Sequence, residues 1–158
     1  MLNTGGKVLE KLLINRINHH IFKNELLTEN QYGFMSQKST TDAAMVAEKF
    51  TEPELGNRKV VIMTSLDVKG ALDAAWWPSI LKELKDSGCP RKLYYLSRGY
   101  FSQRVALLST NNVSIERSVR KGWPQGSCCG PGYWNLFYNS LLKLEFTSQS
   151  KEIAFADD

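Results

Sequence analysis

This sequence predicts a mixed α/β domain, and three observations point to it. Apolar residues recur at helical spacing near the N-terminus. A β-branched apolar run occupies residues 60–66. The 158 residues are 42% apolar against 23% charged. That composition excludes a disordered tail or a fibrous repeat, and the length suffices to bury one core. No internal repeat or low-complexity linker divides the chain, so a single domain is expected.

Val8, Leu9, Leu12, Leu13, Ile17 and Ile21 return every three or four residues, which predicts a first helix capped by Asn3 or Thr4. Residues 28–40 are turn-rich, with Gly33 between two aromatics, and Thr40 or Thr41 then opens a second helix through Phe50. Val60 to Leu66 reads as the clearest strand and ends in Asp67. A turn follows, then helices over residues 77–87 and 91–101, separated by Gly88-Cys89-Pro90. Residues 104–109 and 113–119 read as a hairpin turning at Thr110-Asn111-Asn112. The Gly/Pro-rich stretch 122–132 leads into a helix from Tyr133 to about Phe146, and residues 153–156 close the chain as a strand-like run before Asp157-Asp158.

Twenty Lys and Arg against sixteen Asp and Glu give a net charge of +4, a lean toward polyanionic partners. Cys89, Cys128 and Cys129, with His19 and His20, lack the paired spacing of a zinc site, and an odd cysteine count argues against a disulfide framework. Both point to a reducing intracellular setting, nucleus or cytoplasm. Lys7, Glu10 and Lys11 interrupt the N-terminal region where a signal peptide needs its apolar stretch, so export is not expected. Residues 122–142 carry no charge, but Pro124, Gln125, Pro131 and Asn135 break the run, which reads as a buried loop and helix rather than a membrane span. His19 and His20 close the first helix, where a dipole contact or plain surface exposure explains them.

Three carboxylates sit at the ends of extended runs: Asp67 after one, Asp157 and Asp158 after another. Phosphoryl transfer by two divalent cations needs carboxylates from separate elements to converge. On spacing alone, a turn-forming Asp67 and a solvated terminal pair are the plainer account, and both readings stay open at this point.

Several blocks in order bear on that choice. Ser65-Leu66-Asp67-Val68-Lys69-Gly70-Ala71-Leu72-Asp73 resembles the first catalytic motif of reverse transcriptases, and Gly122-Trp123-Pro124-Gln125-Gly126-Ser127 resembles their loop against template and nucleotide. Phe155-Ala156-Asp157-Asp158 resembles their second catalytic motif. Gln31-Tyr32-Gly33-Phe34 with Ser39-Thr40-Thr41-Asp42 is similar to their fingers segment. Ala75-Trp76-Trp77-Pro78 and the stretch Ser127 to Asn135 resemble non-LTR (LINE-like) retrotransposon polymerases, especially arthropod-type elements of the R1 and related clades.

The resemblance implies a right-hand polymerase, with residues 1–59 fingers-like and 60–158 a partial palm built on an antiparallel sheet. It implies RNA-directed DNA synthesis on an RNA template and DNA primer from deoxynucleoside triphosphates, with no membrane and no specific protein partner. Asp67, Asp157 and Asp158 would be catalytic and hold two Mg2+ ions, with Mn2+ the alternative, and the Val68 backbone would lie beside the first metal. Leu72, Gln125 and Gly126 would line the nucleotide site. Lys38, Tyr32, Phe34, Arg120 and Lys121 are candidates for nucleic-acid contact, by phosphate pairing or base stacking, as are Arg58 and Lys59; local packing and surface solvation explain each equally well.

Three positions depart from the family pattern. Leu72 replaces the usual Phe or Tyr that closes on the sugar, which predicts weaker discrimination against ribose. Trp123 replaces a smaller residue and is expected to crowd the loop before Gln125, with core or cleft wall as its other reading. Met35 stands where many relatives carry Arg. The sequence stops at Asp158, so no thumb is present, and the expectation is a truncated or decaying copy with little activity alone and poor autonomous stability. The alternative from another class is a catalytically silent nucleic-acid-binding fragment.

Overall fold

The computed structural model describes residues 4–110, 113–124, 126–144 and 149–156. Its helices are α1 (Thr4–Lys23), α2 (Thr40–Gly56), α3 (Ala71–Ala74), α4 (Trp77–Asp86), α5 (Arg91–Phe101) and α6 (Gly130–Leu142), and the strands β1 (Val105–Ser109) and β2 (Ser114–Ser118) lie between α5 and α6. The result is a mixed helical fold with a small antiparallel sheet, as the composition and periodicity predict.

The uncharged α6 is the axis of the core and packs against α1, α3 and α4. It buries Tyr133, Trp134, Leu136 and Tyr138 together with two amides, Asn135 and Asn139. Pro131 sits in its first turn, where a missing N–H costs no helical bond. Gly132 faces α1 so closely that a Cβ there would lie 2.9 Å from Ile14 Cγ1 and 3.0 Å from Asn18 Oδ1. The glycine lets the two helices touch.

Helix α1 forms where its periodicity predicts, but with its buried face turned. Glu10, Leu13, Ile14, Ile17 and Ile21 point inward. Val8, Leu9 and Leu12 face solvent at 54–62% exposure. Ile17 and Ile21, nearly fully buried, each contribute about 1.5–3 kcal/mol of burial. His20 bridges α1 to the end of α4, its Nε2 lying 3.2 Å from the Ser87 carbonyl, so it is more than a surface residue.

Ser39, rather than either threonine, caps α2. Its Oγ accepts from the Asp42 N–H at 3.2 Å, and its own N–H donates to Asp42 Oδ2 at 2.7 Å. The helix runs on to Gly56 with Pro53 inside its final turn.

Two sequence expectations are corrected here. Residues 60–66 form no strand: Val60, Ile62, Met63 and Leu66 are 72–88% exposed and belong to no hydrogen-bonded ladder among the described residues. A β-branched run is only half of what a strand requires, because its backbone groups need a neighbouring strand. Residues 153–156 form a single parallel bridge rather than a strand. Ala154 donates to the Asn30 carbonyl at 2.9 Å and accepts from the Tyr32 N–H at 2.8 Å.

The hairpin does form, in the register Val105↔Ser118 through Ser109↔Ser114, and stands exposed on both faces. It is the only sheet among the described residues. Its turn residues Asn111 and Asn112 lie outside them, as do residues 145 and 146 at the predicted end of the last helix.

Candidate active site

Downstream of the strandless 60–68 stretch, Gly70 adopts a left-handed φ of 63° and turns the chain into α3. This places Ala71, Leu72 and Asp73 along one wall of a cleft of about 600 Å3. The opposite wall is the Gly/Pro-rich loop and the start of α6: Trp123, Pro124, Gly126, Ser127, Gly130 and Pro131. Leu72 and Gly126, predicted to act together, therefore share one cavity.

Backbone bonds hold the walls in register. Trp123 N–H donates to the Leu72 carbonyl at 3.2 Å, and Gly122 N–H to the Ala75 carbonyl at 2.9 Å. The Gly122 carbonyl accepts from Trp77 Nε1 at 2.9 Å. Gly122 has a φ of 72°, and a Cβ there would strike the Asp73 backbone, with Asp73 C and Cα both at 2.9 Å. At Gly126, by contrast, φ is 81° and the place of a Cβ is open space, so another molecule can come up against the backbone.

The crowding expected from Trp123 is corrected. The indole is 6% exposed and turns into the core, stacking on Tyr133 with centroids 6.1 Å apart and meeting the edge of Phe101 at 6.3 Å. It backs the cleft instead of filling the loop.

Asp67 is exposed and carries no hydrogen bond or ion pair among the described residues, and Val68 beside it is half-buried against the core. The Val68 carbonyl accepts from Ala71 N–H at 3.1 Å. Gln125, Asp157 and Asp158 lie outside the described residues. Among those described, no group of three His, Cys, Asp or Glu side chains could hold a metal ion.

The 26–34 segment is tied to α6 by amides one helical turn apart. Asn139 Nδ2 donates to the Leu26 carbonyl and its Oδ1 accepts from Thr28 N–H, both at 2.8 Å. Asn135 Nδ2 donates to the Gly33 carbonyl at 3.1 Å, and its Oδ1 accepts from the fully buried Gln31 at 3.3 Å. A Cβ on Gly33 would strike the Ala156 backbone and lie 2.8 Å from Ala156 Cβ, while Trp134 Nε1 donates to the Ala156 carbonyl at 2.8 Å. The chain immediately before Asp157 is thereby fixed on this turn.

The nucleic-acid candidates divide. Lys38 donates to the Glu29 and Gln31 carbonyls at 2.6 and 2.8 Å and lies 4.7 Å over the half-buried Tyr32 ring, and burial holds its amine below the usual lysine range. Both residues thus pin the turn. Phe34, with a left-handed φ of 56°, is exposed. So are Arg120 and Lys121 at the base of the hairpin, while Lys59 pairs with Glu54 at 2.6 Å beside the exposed Arg58.

The residue that sequence reasoning missed is Glu10. It sits at the inward spacing 10-13-14-17-21, so the missed signal was a carboxylate inside the apolar repeat. It is fully buried and accepts the Tyr100 hydroxyl, Ser127 Oγ at 3.0 Å and Cys128 N–H at 2.7 Å. Next to it, burial pushes the Cys129 thiol up to about 12, whereas Cys128 is exposed. Alkylation at pH 8 is expected to label Cys128 at least about tenfold faster than Cys129, read by peptide mass spectrometry; equal rates would show that the loop opens freely.

A family profile described as reverse transcriptase (RNA-dependent DNA polymerase) matches residues 1–158. The chain is 31% identical, over its whole length, to the retrovirus-related Pol polyprotein from type-1 retrotransposable element R1 of Bradysia coprophila, and spans 15% of that protein. It is 25% identical over 142 residues, 89% of the chain and 15% of the relative, to the RNA-directed DNA polymerase from mobile element jockey of Drosophila melanogaster. No solved structure matches it. Among the described residues, no helix is long and apolar enough to cross a membrane.

Proposed function

The chain belongs to the reverse transcriptase (RNA-dependent DNA polymerase) family, and from that premise we propose that it is part of the fingers and palm of a non-LTR retrotransposon polymerase that copies RNA into DNA. The observation that carries this reading is the cleft in which Leu72 faces Gly126, with Asp67 and Val68 just upstream of its α3 wall. Residues 1–59 are the fingers-like part and 60–158 the palm-like part, although α1 packs into the same core as α5 and α6.

In this reading the cleft receives a deoxynucleoside triphosphate, with Leu72 against the sugar and the Gln125–Gly126 backbone against the base. Asp67, Asp157 and Asp158 would hold Mg2+, or Mn2+ in its place. An exposed Asp67 carboxylate with no protein partner among the described residues fits a metal ligand. When bound, the cations activate the attacking hydroxyl and stabilise the leaving pyrophosphate. Arg120, Lys121 and the exposed Phe34 remain available to the template-primer, and Lys38 contributes by shaping the turn.

The chain spans 15% of the R1 and jockey relatives, so the test uses the full-length protein, whatever length its transcript encodes: extension of a DNA primer on an RNA template. Extension is expected in the wild type and is expected to be lost in Asp67→Ala, with template-primer affinity retained. Extension that survives Asp67→Ala would overturn the assignment of Asp67. Salt-dependent binding of template-primer with no synthesis by the wild type would favour a silent nucleic-acid-binding domain instead.

A further inference from the structure

We propose that Glu10 is a positioning residue for nucleotide binding: its buried carboxylate clamps residues 126–128 in the shape that forms one wall of the cleft. This inference rests on the polymerase reading for the identity of the occupant, though not for the clamp itself.

Taking a carboxylate out of water is costly, and an apolar side chain of similar size would fill the same space in α1 at lower cost. Glu10 is nonetheless fully buried, and no ion pair compensates it among the described residues. It is held instead by donors from two directions. The Tyr100 hydroxyl reaches it from α5, and Ser127 Oγ and Cys128 N–H reach it from the loop, at 3.0 and 2.7 Å. Charge-assisted bonds of this kind are the strong ones.

An acceptor at this place does something an apolar residue cannot, because it fixes the direction of a backbone N–H. Cys128 is two residues beyond Gly126, which forms the open wall of the cleft with its left-handed φ of 81°. Ser127 Oγ also accepts from Cys129 N–H at 3.2 Å, and Cys129 Sγ donates to the Glu10 carbonyl at 3.3 Å. One residue on α1 thus holds both the loop, through its carboxylate, and the start of α6, through its backbone carbonyl. Arg104, at the base of the hairpin, lies 4.6 Å over the Tyr100 ring and brings a cation to the cluster.

The test uses the full-length protein with Glu10→Gln, which keeps the volume but only one acceptor oxygen, and Glu10→Leu, which keeps neither charge nor acceptor. Two readouts are taken. Hydrogen exchange at the Cys128 amide is expected to rise about tenfold in Glu10→Leu while the amides of α5 and mid-α6 stay protected, and to rise less in Glu10→Gln, whose one oxygen can still take the Cys128 N–H. The KM for deoxynucleoside triphosphate is expected to rise several-fold in Glu10→Leu with kcat and template-primer affinity little changed, and less in Glu10→Gln. If Glu10→Leu does not fold, Glu10→Met, which is unbranched and also lacks the acceptor, takes its place.

Unchanged exchange at Cys128 overturns the clamp. Raised exchange with an unchanged KM and a reduced kcat overturns the nucleotide role and leaves Glu10 a structural residue. A wild-type protein that makes no DNA overturns the polymerase reading and the nucleotide role with it, whereas synthesis with unchanged KM overturns the nucleotide role alone.

Discussion

Gly33→Ala is expected to free residues 153–156 from the core, and with them the chain leading into Asp157 and Asp158. The added methyl would meet the Ala156 backbone, with Ala156 Cβ at 2.8 Å, and backbone cannot rotate away as a side chain can. Two outcomes compete: the whole core shifts, or the short segment lifts off. The segment is held by the Asn30–Ala154 and Ala154–Tyr32 backbone bonds and the Trp134–Ala156 bond. At about 1 kcal/mol net each, these total roughly 3 kcal/mol, at the upper end of the usual overpacking cost of about 1–3 kcal/mol. A clash of backbone on backbone exceeds that range, so detachment is the cheaper relief. Hydrogen exchange at Ala154 should therefore approach that of an exposed amide while α1, α4 and α6 stay protected, and primer extension by the full-length protein should fall with it. Protected Ala154 and full synthesis in Gly33→Ala would show that this close approach does not position the proposed catalytic pair Asp157 and Asp158.

What the sequence made legible follows from which interactions are local. Helices α1, α4 and α5 and the hairpin were readable because their periods and breakers lie within each element. The buried α6 was readable because an uncharged run broken by Pro and Asn fits few other places. The 60–66 run was misread for the opposite reason: its strand character depends on a partner, and no property of seven residues reports whether one is present. The buried face of α1 was half legible: Leu13, Ile17 and Ile21 are buried as the apolar period predicts, while Val8, Leu9 and Leu12 face solvent and Glu10, which such a period does not score, is buried with them. Trp123 is core and cleft wall, as one of its two sequence readings had it, and the loop crowding of the other does not arise because the indole stacks on Tyr133, ten residues on. At the site, Leu72 and Gly126 were named through resemblance, and their separation in sequence gave no sign of a shared cavity. Glu10 was invisible to that resemblance because its role is defined by what it touches.

The largest loss of stability is expected from Tyr133→Ala. The ring is fully buried where α6 meets α5 and the loop before it. Its centroid lies 5.0 Å from Phe101 of α5 and 6.1 Å from Trp123 of the loop, and Phe101 stacks in turn on Trp77 of α4 at 5.3 Å. Burial holds the phenol well above its usual range, so it stays protonated and donates to Ser97 Oγ at 2.8 Å. Truncating a buried aromatic costs about 3–5 kcal/mol, because the cavity it leaves is only partly refilled. Against a total of about 5–15 kcal/mol for a domain, that loss takes a fifth or more. Tyr133→Phe keeps the ring and should cost only about 1 kcal/mol, the net worth of one hydrogen bond. The pair separates packing from polarity, measured as the shift in denaturant midpoint at constant slope. The site is affected through Trp123, which loses the face it stacks on and with it the rigid back of the cleft. Tyr133→Ala is therefore expected to weaken nucleotide binding even in the fraction that folds, while Tyr133→Phe leaves it intact. Equal midpoints for the two variants would show that the aromatic stack bears no load, and that the wall behind Leu72 and Gly126 is held by its backbone bonds alone.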